Sequence, residues 1–154
     1  FMRRAYASFF LGVATALVTF AVDQLAKMRW LTPPESPAGF WHLHGWVQSV
    51  IHENHGITFN LPLPNILILL VTLAALGWIM HESWREGKQG HILRLFFLGL
   101  ILGGALGNAY DRLIFGYVRD WLLLWHRSAI NFADISILVG AVGYFVDRFR
   151  SSRA

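Results

Sequence analysis

The pattern Asn-x-x-Asp occurs twice, as Asn108 with Asp111 and as Asn131 with Asp134. On a helix, a three-residue spacing puts each amide on the face of its carboxyl. If the two segments lie on antiparallel neighbours and the carboxyls meet at one level, Asn108 falls a turn below the pair and Asn131 a turn above. Two close carboxylates resist joint ionisation, so they share a proton and titrate together. The ionised member can activate a water while the protonated one polarises a peptide carbonyl, the division of labour of an aspartic protease. The flanking amides can donate and accept hydrogen bonds around such a pair. Other routes to peptide hydrolysis lack their residues: there is no cysteine, and no serine adjoins a histidine or lysine in a recognisable site.

More polar residues belong with these four. Asp23 and Lys27 are four apart and share a helix face. Glu53-Asn54-His55-Gly56 and Arg112 complete the set. His42, His44, His52 and His55 invite a metal reading, but His52-Glu53-Asn54-His55 is one residue short of the zincin spacing. No metal or cofactor is expected, and the histidines suit a headgroup surface.

These residues need elements to carry them. The chain has 154 residues, 55% hydrophobic and 14% charged, whereas a soluble domain is about a quarter charged. The apolar residues come in blocks, and a bilayer-crossing helix needs roughly 20 of them. Four spans are expected, at about 6–28, 62–80, 92–110 and 131–149. Helices are the reading because an open sheet in lipid leaves backbone groups unpaired. The expected fold is an all-α membrane protein, one domain over 1–154, whose first segment is a retained anchor.

With the N-terminus inside, Arg3, Arg4, Arg85, Lys88, Arg94, Arg148, Arg150 and Arg153 are cytoplasmic, which is eight of the 13 basic residues. The positive-inside rule favours that orientation. The formal charge of +4 is spread out, which suits membrane lipid and offers no arm for nucleic acid. The loop at about 30–61 carries Phe40, Trp41, Trp46, Val47, Val50, Ile51, Ile57 and Phe59. Alternation around Trp46 to Ile51, with Gly45 and Gly56 as turn residues, predicts a small extended or β platform on the outer surface.

Five segments, in order, closely resemble the lipoprotein signal peptidase family, the bacterial type II signal peptidases. They are Asp23-Gln24-Leu25-Ala26-Lys27, Asn54-His55-Gly56-Ile57-Thr58-Phe59, Gly103 through Arg112, Gly116-Tyr117-Val118-Arg119-Asp120, and Asn131-Phe132-Ala133-Asp134. The resemblance implies an inner-membrane aspartic peptidase with four helices, both termini cytoplasmic and an outward-facing site. Its substrate would be a diacylglyceryl-modified prolipoprotein, cut before the lipidated cysteine, and cyclic lipopeptides such as globomycin would inhibit it. Carried over by position, Asp111 and Asp134 are the catalytic pair. Asn54, Gly56, Asn108, Arg112 and Asn131 orient them or bind substrate, and Asp23, Lys27 and Asp120 support the site. The protein is expected to act as a monomer.

The sequence departs from the family pattern at Ile57-Thr58 and Asn60, where small residues are usual, and at Ile130, where Phe is common. Arg119 and Trp121 flank Asp120 in place of the usual Val and Phe. Plainer readings accompany each feature. Gly103, Gly104 and Gly107 serve close helix packing, Asn108 and Asn131 serve as interhelical glue or touch substrate, and Asp120 is a loop cap or a supporting group. Asp147 is a solvated cytoplasmic charge. Two other classes fit the composition less well. A small coupled transporter would set its charges near the bilayer midplane, and a non-enzymatic partner subunit would use its Asn and Asp residues to bind other helices.

Overall fold

The protein is described by a computed structural model covering residues 2–30, 42–43, 46–56, 65–125 and 127–153. Phe40, Trp41, Gly45, Ile57, Thr58, Phe59 and Asn60 lie outside the described residues.

In chain order the elements are α1 (Met2–Trp30), β1 (His42–Leu43), β2 (Val47–Asn54), α2 (Asn65–Gln89), α3 (Ile92–Phe115), β3 (Val118–Leu124), β4 (Ser128–Ile130) and α4 (Phe132–Ser151). Within α1, α2 and α3, the segments Phe9–Arg29, Ile66–Gln89 and Ile92–Phe115 are long and apolar enough to cross a membrane. The fourth helix has 20 residues and carries Asp134, Asp147, Arg148 and Arg150. Two helices outrun their expected spans. The second continues from Met80 to Gln89, and the third from Tyr110 to Phe115. The third stops at Gly116, whose φ of 81° closes the helix with a bond from its N–H to the Arg112 carbonyl.

The four strands form one antiparallel sheet in the order β1-β2-β3-β4. Half of its strands come from residues 118–130, a stretch expected only to connect the third and fourth helices. His52 pairs with Asp120 and Asn54 with Val118, after an irregularity between Ser49 and His52. The register matters because it fixes where Asp120 stands against β2.

The third helix is central, packed most extensively on α1 and α4. On α1 the buried residues Ala16, Thr19, Asp23 and Lys27 recur at helical spacing along one stripe. Opposite them run Gly99, Gly103, Gly107 and Asp111 on α3, all buried. A Cβ on Gly99 would lie 2.6 Å from the Gly12 carbonyl oxygen, and one on Gly103 2.6 Å from Thr19 Cβ. Only hydrogen in place of a side chain lets these backbones approach so closely. The seam thus passes from small residues to charged ones as it nears the sheet.

The opposite ends of α2, α3 and α4 hold a buried ionic network. Glu86 is 1% exposed and meets His91 Nδ1 at 2.6 Å and Arg94 Nη1 at 3.2 Å. Glu82 accepts hydrogen bonds from Tyr144 Oη and Arg85 and from Arg148 Nη1 at 2.6 Å. Asp147, expected as a solvated charge, instead accepts Arg94 Nε at 2.7 Å. Because Arg94 sits in the first turn of α3, Asp147 lies beside a cation that has left water and needs a partner.

Candidate active site

Asp23, Lys27 and Asp111 meet where α1 and α3 approach the sheet. The Lys27 ammonium is fully buried and uses its three donors on Asp23 Oδ2 at 2.7 Å, Asp111 Oδ2 at 3.0 Å and Asn108 Oδ1 at 3.2 Å. A buried cation with all of its hydrogens placed is a strut. The other Asp23 oxygen accepts the backbone N–H of Ala133 at 2.9 Å. That N–H belongs to the first turn of α4, where donors have no partner within the helix. Asp23 therefore joins the start of α4 to α1.

Asp111 is equally enclosed. Its Oδ1 accepts Arg119 Nη2 at 2.7 Å and Gln24 Nε2 at 3.3 Å, and its Oδ2 accepts the Arg119 backbone N–H at 3.0 Å. Both oxygens are committed to α1 and β3. The expected pairing of Asp111 with Asp134 is not what the structure brings together. On α3, Asp111 lies on the stripe that faces Lys27 of α1, whereas Asp134 is reached by Asn108 of α3.

The carboxyl beside Asp134 is that of Asp120, on β3. Asp120 Oδ2 accepts Asn54 Nδ2 at 3.0 Å and Oδ1 accepts Asn131 Nδ2 at 2.7 Å. Asp134 Oδ1 accepts Asn108 Nδ2 at 2.8 Å, and its Oδ2 accepts the Asn131 backbone N–H at 3.3 Å. Asn131 is thus one hydrogen bond from each carboxyl. Burial and, next, the charge of Asp134 push the Asp120 carboxyl up to about 7, against the hydrogen bonds from Asn54 and Asn131. Asp120 is wholly buried and Asp134 half-buried.

Asn131 differs from its expected place a helical turn above Asp134. It is the N-cap of α4, in extended conformation, and its side chain accepts the Asp134 N–H at 3.0 Å while the Asp134 carboxyl takes the Asn131 N–H. This is a capping box, so the second Asn-x-x-Asp spacing reflects a helix start. The Asn131 amide also donates to Asn108 Oδ1 at 3.1 Å. Arg112 sends Nη2 to the Gly56 carbonyl at 3.1 Å, and the Gly56 N–H closes on Asn54 Oδ1 at 3.1 Å. Those two bonds hold the end of β2, which presents Asn54 to Asp120.

Of the residues singled out in the sequence, Asn54, Gly56, Asn108, Arg112, Asp120, Asn131 and Asp134 form one cluster, and Asp23, Lys27 and Asp111 form a layer behind it. Gln24 and Arg119, neither of them expected in the site, join that rear layer. Among the described residues no group of three His, Asp or Glu side chains converges as metal ligands would.

A sequence model described as Signal peptidase (SPase) II matches residues 15–150. A lipoprotein signal peptidase from Methylobacterium sp. (strain 4-46) is 34% identical over 145 residues, covering 89% of this chain and 87% of its own. Another, from Methylorubrum extorquens (strain PA1), is 35% identical over 156 residues, covering 90% and 85%. A solved structure described as a bacterial membrane enzyme determined by the in meso method at 2.3 Å superposes with a TM-score of 0.80. It covers 92% of this chain and 88% of that one, at 20% identity, a likeness of fold.

Proposed function

Because the chain belongs to the signal peptidase II family, we propose that it is an aspartic endopeptidase that removes signal peptides from diacylglyceryl-modified prolipoproteins, cutting before the lipidated cysteine. The observation that carries this reading is the arrangement of Asp120 and Asp134 on either side of Asn131. Asp111 takes a different part from the one its sequence pattern suggested: it anchors β3.

Charge counting supports the pair. The buried and half-buried ionisable groups of the cluster and its rear layer are Asp23, Asp111, Asp120 and Asp134 against Lys27, Arg112 and Arg119. Four carboxyls facing three cations reach neutrality when one carboxyl keeps its proton. Asp23 and Asp111 each form a direct ion pair with one of these cations, and among the described residues Asp120 and Asp134 form none, so that proton is assigned to Asp120 and Asp134 jointly. In hydrolysis, the ionised member of the pair takes a proton from water as the water oxygen bonds to the scissile carbonyl carbon. The protonated member donates to the carbonyl oxygen. Collapse of the tetrahedral intermediate breaks the C–N bond: the leaving nitrogen of the cysteine takes the proton accepted from water, and one hydroxyl of the intermediate returns its proton to the carboxylate that had donated. Asn54, Asn108 and Asn131 keep both carboxyls in place throughout, so little reorganisation is needed at the moment of reaction.

In this reading all four helices span the inner membrane, both termini are cytoplasmic, and the sheet lies at the outer surface over the site. The lipid on the substrate cysteine holds the scissile bond at the depth of the pair, so cleavage becomes nearly intramolecular. The enzyme works as a monomer without a cofactor, and globomycin-like cyclic lipopeptides compete for the site.

The test is cleavage of a diacylglyceryl-modified precursor by the purified protein, with and without globomycin. Asp120→Asn and Asp134→Asn should each lower kcat by about a thousandfold or more while leaving the melting temperature within a few degrees. Asp111→Asn should instead lower the melting temperature, since it leaves Lys27 and Arg119 without their shared anion. Robust processing by Asp120→Asn would remove this pair from the mechanism.

A further inference from the structure

Asp111 grips one residue of β3 twice. It accepts the backbone N–H of Arg119 at 3.0 Å and the Nη2 of the same residue at 2.7 Å. The guanidinium continues to Gln24 Oε1 at 2.6 Å and lies over the Phe115 ring, 4.3 Å from its centroid. Only 15% of the side chain is exposed, so its charge has been taken largely out of water and set against fixed partners. Successive side chains of a strand point to opposite sides. Arg119 therefore faces the seam between α1 and α3, while Asp120 faces Asn54 and Asn131.

We infer that Arg119 is a positioning residue for the hydrolysis: its fork across Asp111 and Gln24 fastens β3 to α3 and α1 one residue before Asp120, and so sets Asp120 against Asp134. The inference rests on the proposed reading of Asp120 and Asp134 as the working pair. Beyond its ladders with β2 and β4, the backbone bond from Arg119 to Asp111 ties the strand to α3 at one point only. The guanidinium adds a second point and reaches a second helix. A misplacement of even about 1 Å at a reacting group costs orders of magnitude in rate, and such a loss falls on kcat when substrate binding lies elsewhere.

The charge matters as well as the grip. The groups facing Asp120 are Asn54 on β2 with His52 opposite it in the ladder, Asn131 and Asp134 at the start of α4, Arg112 on α3, and Lys27 on α1, while Asp111 of α3 meets the strand on its other side, at Arg119. With Arg119 neutral, Lys27 and Arg112 stand alone against four carboxyls. The pair then gives up its proton less readily, and both limbs of the pH–activity profile move upward, by roughly half to one pH unit.

The experiment measures kcat and KM separately from pH 5 to 9 on a diacylglyceryl-modified precursor, using purified Arg119→Met, Arg119→Lys and Asp120→Asn beside the wild type. Arg119→Met keeps a long, unbranched apolar side chain and removes the charge and fork. It should lower kcat about tenfold, leave KM within about twofold and shift the profile upward. Arg119→Lys restores the charge without the fork, so it should recover the pH profile but only part of kcat. An Arg119→Met protein with wild-type kcat and profile overturns the inference, as does a loss confined to KM. Should that variant fail to fold, Arg119→Gln carries the same expectations and the same two outcomes decide. Activity retained by Asp120→Asn overturns the underlying pair instead, whatever the Arg119 variants do.

Discussion

Asp120 accepts two amide hydrogens, has no exposure to solvent and titrates at about 7 beside Asp134. An unfolded aspartate loses its proton near 4. Between about pH 4 and pH 7 the folded chain therefore keeps a proton that the unfolded chain has released, and stability falls as pH rises through that window. Above about pH 7 this contribution levels off. Melting temperature followed from pH 4 to 8 in detergent should show the decline, and Asp120→Asn, which cannot ionise, should flatten it. A wild-type curve that rises across the same window would contradict the buried acid. From the sequence, Asp120 was readable only as a loop cap or a supporting group. Its relation to Asp134 depends on the fold-back of β3 onto β2 and on the register that places it opposite His52. Asp111 misled for the converse reason. Its spacing from Asn108 is helical, but a helix face says nothing about which neighbour it meets, and this one meets Lys27.

The helices were legible because lipid demands long apolar runs, and these survive in the sequence as blocks. The strands at 118–124 and 128–130 were not, since Arg119 and Asp120 sit where a strand usually carries apolar residues. Those charges are stabilised by partners on other elements, which only the folded chain supplies. The end of α2 was missed in the same way. His81-Glu82-Ser83-Trp84-Arg85 reads as a loop, yet Glu82 and Glu86 turn inward onto Tyr144, Arg94 and Arg148. Glu86→Ala would strip Arg94 and His91 of a fully buried anion, at a cost of about 3–5 kcal/mol. A thermal shift should register this as a drop of several degrees, with kcat per folded molecule unchanged because the network lies at the far end of the bundle from Asp134. A variant as stable as the wild type would mean that the ions are well hydrated.

As a whole, the molecule places its two buried polar clusters at opposite ends of one bundle and leaves the middle to small and apolar residues. The order of the polar segments, and so their gathering at the end bearing the sheet, could be read from the sequence. Which of those side chains meet required the packing of α1, α3 and α4 around one another. The glycine seam of α3 has a practical consequence for anyone wishing to make this enzyme hardier. Exchanging helical glycines for alanine is a common stabilising strategy, gaining up to about 1 kcal/mol where the methyl has room. At Gly77, with nothing within 4 Å of the new carbon, Gly77→Ala should raise the melting temperature. At Gly103 the new carbon would fall 2.6 Å from Thr19 Cβ, so the same exchange should lower it by pushing α1 away. Equal shifts at the two positions would show that α1 gives way at the seam without cost. Otherwise, hardening by alanine has to stop at the seam.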